Sequence, residues 1–180
     1  MSSAVPKIPI VGERNCKSLR DIIMPSILPV KLDTYLPGSF KCDKNCILCR
    51  EHFVEQTTFS SDRTGEFFTI RHHMTCQVEN FIYLLFCSKC KNKQYVGESK
   101  NTMRIRFASH RSDIKLGKKN TGKIPYIIQH FNSPGHSLSD MRALPIEQVC
   151  RKDTAYRRSR ERFWFTKLRS VYPDGLNERD

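Results

Sequence analysis

The stretch Phe81–Gly97, FIYLLFCSKCKNKQYVG, decides how the chain reads. Two apolar runs, Ile82–Phe86 and Tyr95–Val96, flank a polar segment with two cysteines, three lysines and an asparagine. Strand-forming residues on both sides of such a segment predict a β-hairpin, with strands at Ile82–Phe86 and Gln94–Val96 and a turn at Ser88–Lys93. Each strand carries a tyrosine, Tyr83 and Tyr95, immediately ahead of the basic segment KNTMRIRFASHRSDIKLGKK.

Downstream, Asn101 is placed to cap a helix running to about Lys115. Gly117–Gly122 reads as a basic loop, and Pro125 opens a short helix to about Asn132. SPGHSLSD is a loop. Met141–Val149 reads as a third strand, and Asp153 caps a long helix to about Val171. The order β-β-α-α-β-α predicts an α/β (α+β) fold over 81–180, a small three-stranded mixed sheet flanked by helices. Residues 36–80 read as a small cysteine-rich unit with a hairpin, its strands near Thr57–Ser60 and Glu66–Arg71. Residues 1–35, with four of the nine prolines, read as an extended lead-in.

The net charge of +13 is one-sided. Residues 1–80 carry 10 Lys+Arg and 9 Asp+Glu, against 21 and 9 in residues 81–180. Such a basic half attracts phosphate backbones, so DNA is the expected partner. No apolar run approaches the ~20 residues of a membrane span, and no secretory signal stands at the start, so no membrane partner and an intracellular location are expected, and the DNA substrate and basic runs make that location nuclear. Lys100, Arg104, Arg111, Lys118 and Lys119 are the candidate DNA-binding cations.

Six of the eight cysteines fall between 42 and 90. Clustered cysteines without a secretory signal favour metal over disulfides. Cys42, Cys46 and Cys49 have C-x3-C-x2-C spacing, and Cys76 closes a Zn²⁺ tetrad. His52, His72, His73, Cys87 and Cys90 are rival ligands, the last two forming a second C-x-x-C in the hairpin turn. Cys16 and Cys150 are left as free thiols.

Arg106 and His110, four apart on a helix, share one face. That face is either solvated or turned to a phosphate. Glu161 lies on the apolar stripe with Phe165 and Leu168. It either neutralises nearby arginines or holds one divalent ion. Phe163, Trp164 and Phe165 read as core, and Asn177 as a turn residue near the end.

Taken in order, IYLLFC, QYVG, MRIRFASH, a helical Glu and GLN resemble the GIY-YIG endonuclease family. Phe81 occupies the position of the usual first Gly. Arg106 stands eleven residues past Tyr95, one more than in many members. With the upstream SFKCDKNCILC and the phrases QYVGES, HRSDI and HSLSD, the chain looks most like the endonuclease domain of Penelope-like retroelements. The resemblance implies single-metal phosphodiester hydrolysis on DNA with Mg²⁺ or Mn²⁺ at Glu161. Tyr83 or Tyr95 would contact the attacking water, Arg106 would stabilise developing charge, His110 would assist proton transfer and Asn177 would brace the site. It further implies a reverse transcriptase as partner. The alternatives are a catalytically weak, domesticated nucleic-acid-binding module and a zinc-stabilised interaction protein.

Overall fold

The computed structural model describes residues 36–44, 46–117, 124–150 and 153–178; the lead-in, Cys16, Lys118 and Lys119 lie outside them. All described residues belong to one compact unit, Tyr35–Asp180. No helix among them is long and apolar enough to cross a membrane.

The cysteine-rich part contributes β1 (Gly38–Ser39), α1 (Ile47–Glu51), the hairpin β2–β3 (Thr58–Ser60 and Phe67–Thr69) and β4 (His73–Met74). Then follow β5 (Phe81–Cys87), β6 (Gln94–Ser99), α2 (Met103–Leu116), α3 (Tyr126–Phe131), a 3₁₀ turn, β7 (Met141–Gln148) and α4 (Thr154–Leu168). The fold is α/β, a small sheet flanked by helices and preceded by the cysteine-rich segment.

The sheet has the order β6-β5-β7. Both pairings are antiparallel, so the sheet is not mixed as the sequence suggested. The tight turn forces β6 antiparallel to β5. The chain then crosses through α2 and α3 to the far edge of β5, so β6 and β7 run the same way without touching. β5 is central, and Phe81–Leu85 are all buried, which explains its unbroken apolar run.

Side chains alternate between the two faces of β5. Ile82 pairs with Glu98 and Glu147, and on that face α4 docks. Arg157 binds Glu98, Arg160 binds Glu147 and Trp164 donates to the same Glu147 carboxylate. Tyr83, on the opposite face, pairs with Gly97 and meets α2. A Cβ on Gly97 would lie 2.4 Å from the Tyr83 hydroxyl, so only glycine lets the tyrosine cross its neighbour strand.

α2 is capped by Thr102, not Asn101: the Thr102 hydroxyl accepts from the Ile105 amide. Asn101 is engaged through its backbone with Ser99. The amides of Met103 and Arg104 donate to the carbonyls of Val78 and Cys76, at 3.1 and 3.0 Å. The cysteine-rich segment thus receives the first turn of α2, whose amides have no partner within the helix. Asp153 caps α4 as expected. Phe59 and Phe68 of the hairpin pack on Trp164, and the Ser61 hydroxyl donates to the Leu168 carbonyl. Cys150 is disulfide-bonded rather than free.

Candidate active site and metal centres

The structure brings Tyr83, Tyr95, Arg106 and His110 together where α2 crosses β5 and β6. Arg106 Nε donates to the Tyr83 hydroxyl at 2.8 Å. His110 Nε2 stands 2.7 Å from the same oxygen. An arginine has no acceptor, so the Tyr83 oxygen accepts from Arg106, and a neutral His110 ring shares that same oxygen. Burial, reinforced by the Arg106 charge, pushes the His110 pKa down to about 3 and keeps it so. Tyr83 is fully buried, and burial raises its pKa well above the usual tyrosine value. Tyr95 is partly exposed, edge-on to His110. Its pKa is raised by burial and by Glu161, while Arg106 pulls it the other way. Burial disfavours the charge on Arg106, but the tyrosine oxygens outweigh it and the guanidinium is held protonated.

Glu161 lies on α4, near enough for its charge to act on both Tyr83 and Tyr95. Glu161 is half-buried, and a single carboxylate is the kind of protein ligand by which Mg²⁺ is usually held. Asn177 sits behind β6 rather than in the cluster. Its Oδ1 accepts from the Val96 amide and the Ser170 hydroxyl, and its Nδ2 donates to the Val96 carbonyl. A Cβ on Gly175 would meet the Ser170 backbone at 2.1 Å, so this glycine permits the turn that delivers Asn177.

Among the cations, Lys100 and Arg104 are exposed and Arg111 is half-buried near Glu51 and His52. Only Lys100 lies beside Arg106, in a shared cleft.

The sulfurs of Cys42, Cys46, Cys49 and Cys76 all lie within 4.8 Å of one another, with Cys46 and Cys76 3.7 Å apart. Zn–S bonds of ≈ 2.3 Å in a tetrahedron put sulfurs roughly 3.8 Å apart, so the tetrad fits zinc. The Cys46 amide pulls the Cys42 pKa down to about 6, a thiolate ready for a cation. Burial pushes Cys49 up to about 11 and raises Cys76 as well; a metal would be needed to ionise both. The rival histidines stand elsewhere. His52 Nδ1 meets the Met141 carbonyl, and His73 Nδ1 meets that of Leu36. His72 is not grouped with the four thiols.

Cys87 and Cys90 join a second group, with His130 and His136. Cys90 Sγ is 3.0 Å from His136 Nε2, and the buried His130 Nε2 has no hydrogen-bond partner. An orphaned imidazole nitrogen beside two thiols fits a Cys₂His₂ zinc site. Burial holds His130 neutral, with a pKa of about 4. His136 Nδ1 is oriented by Ser133 and the Pro134 carbonyl, as ligating imidazoles commonly are. The sequence reading missed both histidines. Their H-x5-H spacing after a C-x-x-C was the available signal.

No family model matches the chain, and no curated protein sequence does. Among solved structures, the catalytic domain of the homing endonuclease I-TevI is similar, with 22% identity and a TM-score of 0.47, over 57% of this chain and 100% of that one.

Proposed function

We propose that the chain is a divalent-metal-dependent DNA endonuclease of the GIY-YIG type. The observation that supports the reading is the meeting of Tyr83, Tyr95, Arg106 and His110 on one sheet face, with the Glu161 charge acting on both tyrosines.

Glu161 would hold Mg²⁺ or Mn²⁺, which would supply polarisation of a phosphoryl oxygen and a more acidic water. Tyr95, the less buried of the two tyrosines, hydrogen-bonds the attacking water and aims it at phosphorus. Tyr83 is too buried to touch water, and its oxygen anchors Arg106. Arg106 faces the oxygens that gain charge as the new P–O bond forms. The attacking water releases a proton to solvent as the opposite P–O bond breaks, the electron pair of that bond stays on the leaving oxygen, and that oxygen takes a proton from solvent. With its low pKa, His110 is uncharged at neutral pH and serves to hold the Tyr83 hydroxyl in place. Asn177 braces β6 under Tyr95.

The thiol tetrad and the Cys₂His₂ group hold structural zinc. The SFKCDKNCILC segment ahead of the nuclease portion favours an origin in a Penelope-like retroelement. That origin carries with it nuclear residence and action beside a reverse transcriptase.

The test is nicking of supercoiled plasmid with Mg²⁺ or Mn²⁺, comparing the parent with Glu161→Ala. Cleavage by the parent that is lost in the variant and with EDTA supports the reading. If neither cleaves but both bind DNA at low salt, the chain is a nucleic-acid-binding module instead.

A further inference from the structure

A polar cleft of about 340 Å³ opens beside Arg106, between the exit of β6 and the first turn of α4. Arg106, Lys100, Asn101 and Thr154 line it, above the Glu98–Arg157 ion pair. The donors and acceptors here are lopsided. Among the described residues, the Lys100 ammonium and the Asn101 side-chain amide hydrogen-bond to no other side chain. Thr154 Oγ1 accepts from Arg157 Nη2 at 3.4 Å, which leaves its own proton to give. The one carboxylate, Glu98, is engaged by the buried Arg157, which also reaches Asn80. The rigid ion pair therefore forms a floor rather than a ligand.

A cleft with three donor groups to spare and its acid already neutralised fits a multi-oxygen anion. A cation would meet the Lys100 ammonium and no free carboxylate, and an apolar group would strand the donors unpaired. Ammonium, amide and hydroxyl donors are also the side chains that proteins aim at phosphate oxygens.

We infer that this cleft is the subsite for a neighbouring phosphate of the DNA strand being cut. Arg106 faces the scissile phosphate, while Lys100, Asn101 and Thr154 hold the next phosphate along the strand. This rests on the nuclease reading and deepens it: the enzyme grips the cut strand at two successive phosphates. The second grip fixes where the first one falls.

The experiment pairs protein and substrate changes on a short duplex whose cleavage site has been mapped. Neutral methylphosphonates replace single phosphates near that site. Parent and Lys100→Gln/Thr154→Val are compared by kcat/KM, with Lys41→Gln as a control for charge. With the parent, neutralising one phosphate adjacent to the cut lowers kcat/KM, by roughly five- to tenfold. In the double variant that penalty is expected to vanish at that phosphate alone, and the slope of log Kd against log salt to shrink by about 1. The subsite is overturned if the parent cleaves and the double variant keeps the full penalty at every phosphate. It is equally overturned if Lys41→Gln reproduces the effect. A parent that cleaves nothing refutes the nuclease reading itself, and the subsite with it.

Discussion

The Tyr83 hydroxyl lies between two α2 side chains, accepting from Arg106 Nε at 2.8 Å and hydrogen-bonded to His110 Nε2 at 2.7 Å. One buried oxygen therefore orients a guanidinium and an imidazole at once, and burial with the Arg106 charge keeps that imidazole neutral. This has a consequence for acid stability. The His110 pKa in the fold, about 3, lies below the ordinary 6.5. Between those values the unfolded chain takes up a proton that the folded chain refuses. Stability from this site is complete above pH 6.5 and is lost as pH falls toward 3. His110→Gln keeps an acceptor for Tyr83 but does not titrate. Urea unfolding of parent and variant across pH 6.5 to 4 should differ in slope by up to about 1.4 kcal/mol per pH unit, the parent being steeper. Parallel slopes would mean that His110 is protonated in the fold.

Gly97→Ala should strike the same tyrosine from the other side. The added methyl overlaps the Tyr83 hydroxyl, and that hydroxyl is pinned by two hydrogen bonds and cannot move aside cheaply. A loss of about 1–3 kcal/mol is expected, read by urea unfolding. Nicking should fall further than the lost stability explains, because Arg106 loses its anchor.

Tyr95→Phe and Tyr83→Phe should separate the two tyrosines. Tyr95→Phe removes the hydroxyl proposed to hold the attacking water. That hydroxyl also meets Arg106 and Tyr83, so plasmid nicking should drop at least about tenfold, with a smaller stability loss than Tyr83→Phe. Tyr83→Phe strands Arg106 and His110 and should lower stability too, by about 1–3 kcal/mol. The check is nicking rate set beside urea unfolding for each variant.

Asn177→Ala should leave both polar groups of the Val96 peptide without a side-chain partner, together with the Ser170 hydroxyl. All of these are buried, and a cost of about 2–4 kcal/mol follows. Asn177→Asp should fare little better, since a carboxylate cannot donate to the Val96 carbonyl. Circular-dichroism melts of both variants give the comparison.

Two zinc ions per chain are expected by native mass spectrometry. Cys46→Ser should remove one and Cys90→Ser the other. Loss of the first should also speed hydrogen exchange at the Met103 and Arg104 amides, because their acceptors, the carbonyls of Val78 and Cys76, belong to the segment that this metal ties. Cys90→Ser should leave those two amides protected.

Much of the sheet and its helices could be read locally. The apolar run of β5, Asp153 ahead of α4 and the Pro125 start of α3 are short-range signals, settled by burial period and by capping chemistry. The C-x3-C-x2-C spacing likewise announced a thiol cluster, since ligands from one short segment must crowd together. Sequence alone also placed Arg106 and His110 on one helical face, because four residues make about one turn.

Tertiary structure decided what depends on distant partners. Pairing on both edges of β5 made the sheet antiparallel, and no local pattern specifies which edge a returning strand will take. His130 and His136 meet Cys87 and Cys90 only because α3 packs beside the hairpin turn, some forty residues on. Tyr83 and Tyr95 look alike in sequence, yet one is sealed between β6 and α2 and the other opens at an edge strand. Exposure is a property of what the rest of the chain covers, so only the folded molecule could tell the sealed tyrosine that anchors Arg106 from the partly exposed one.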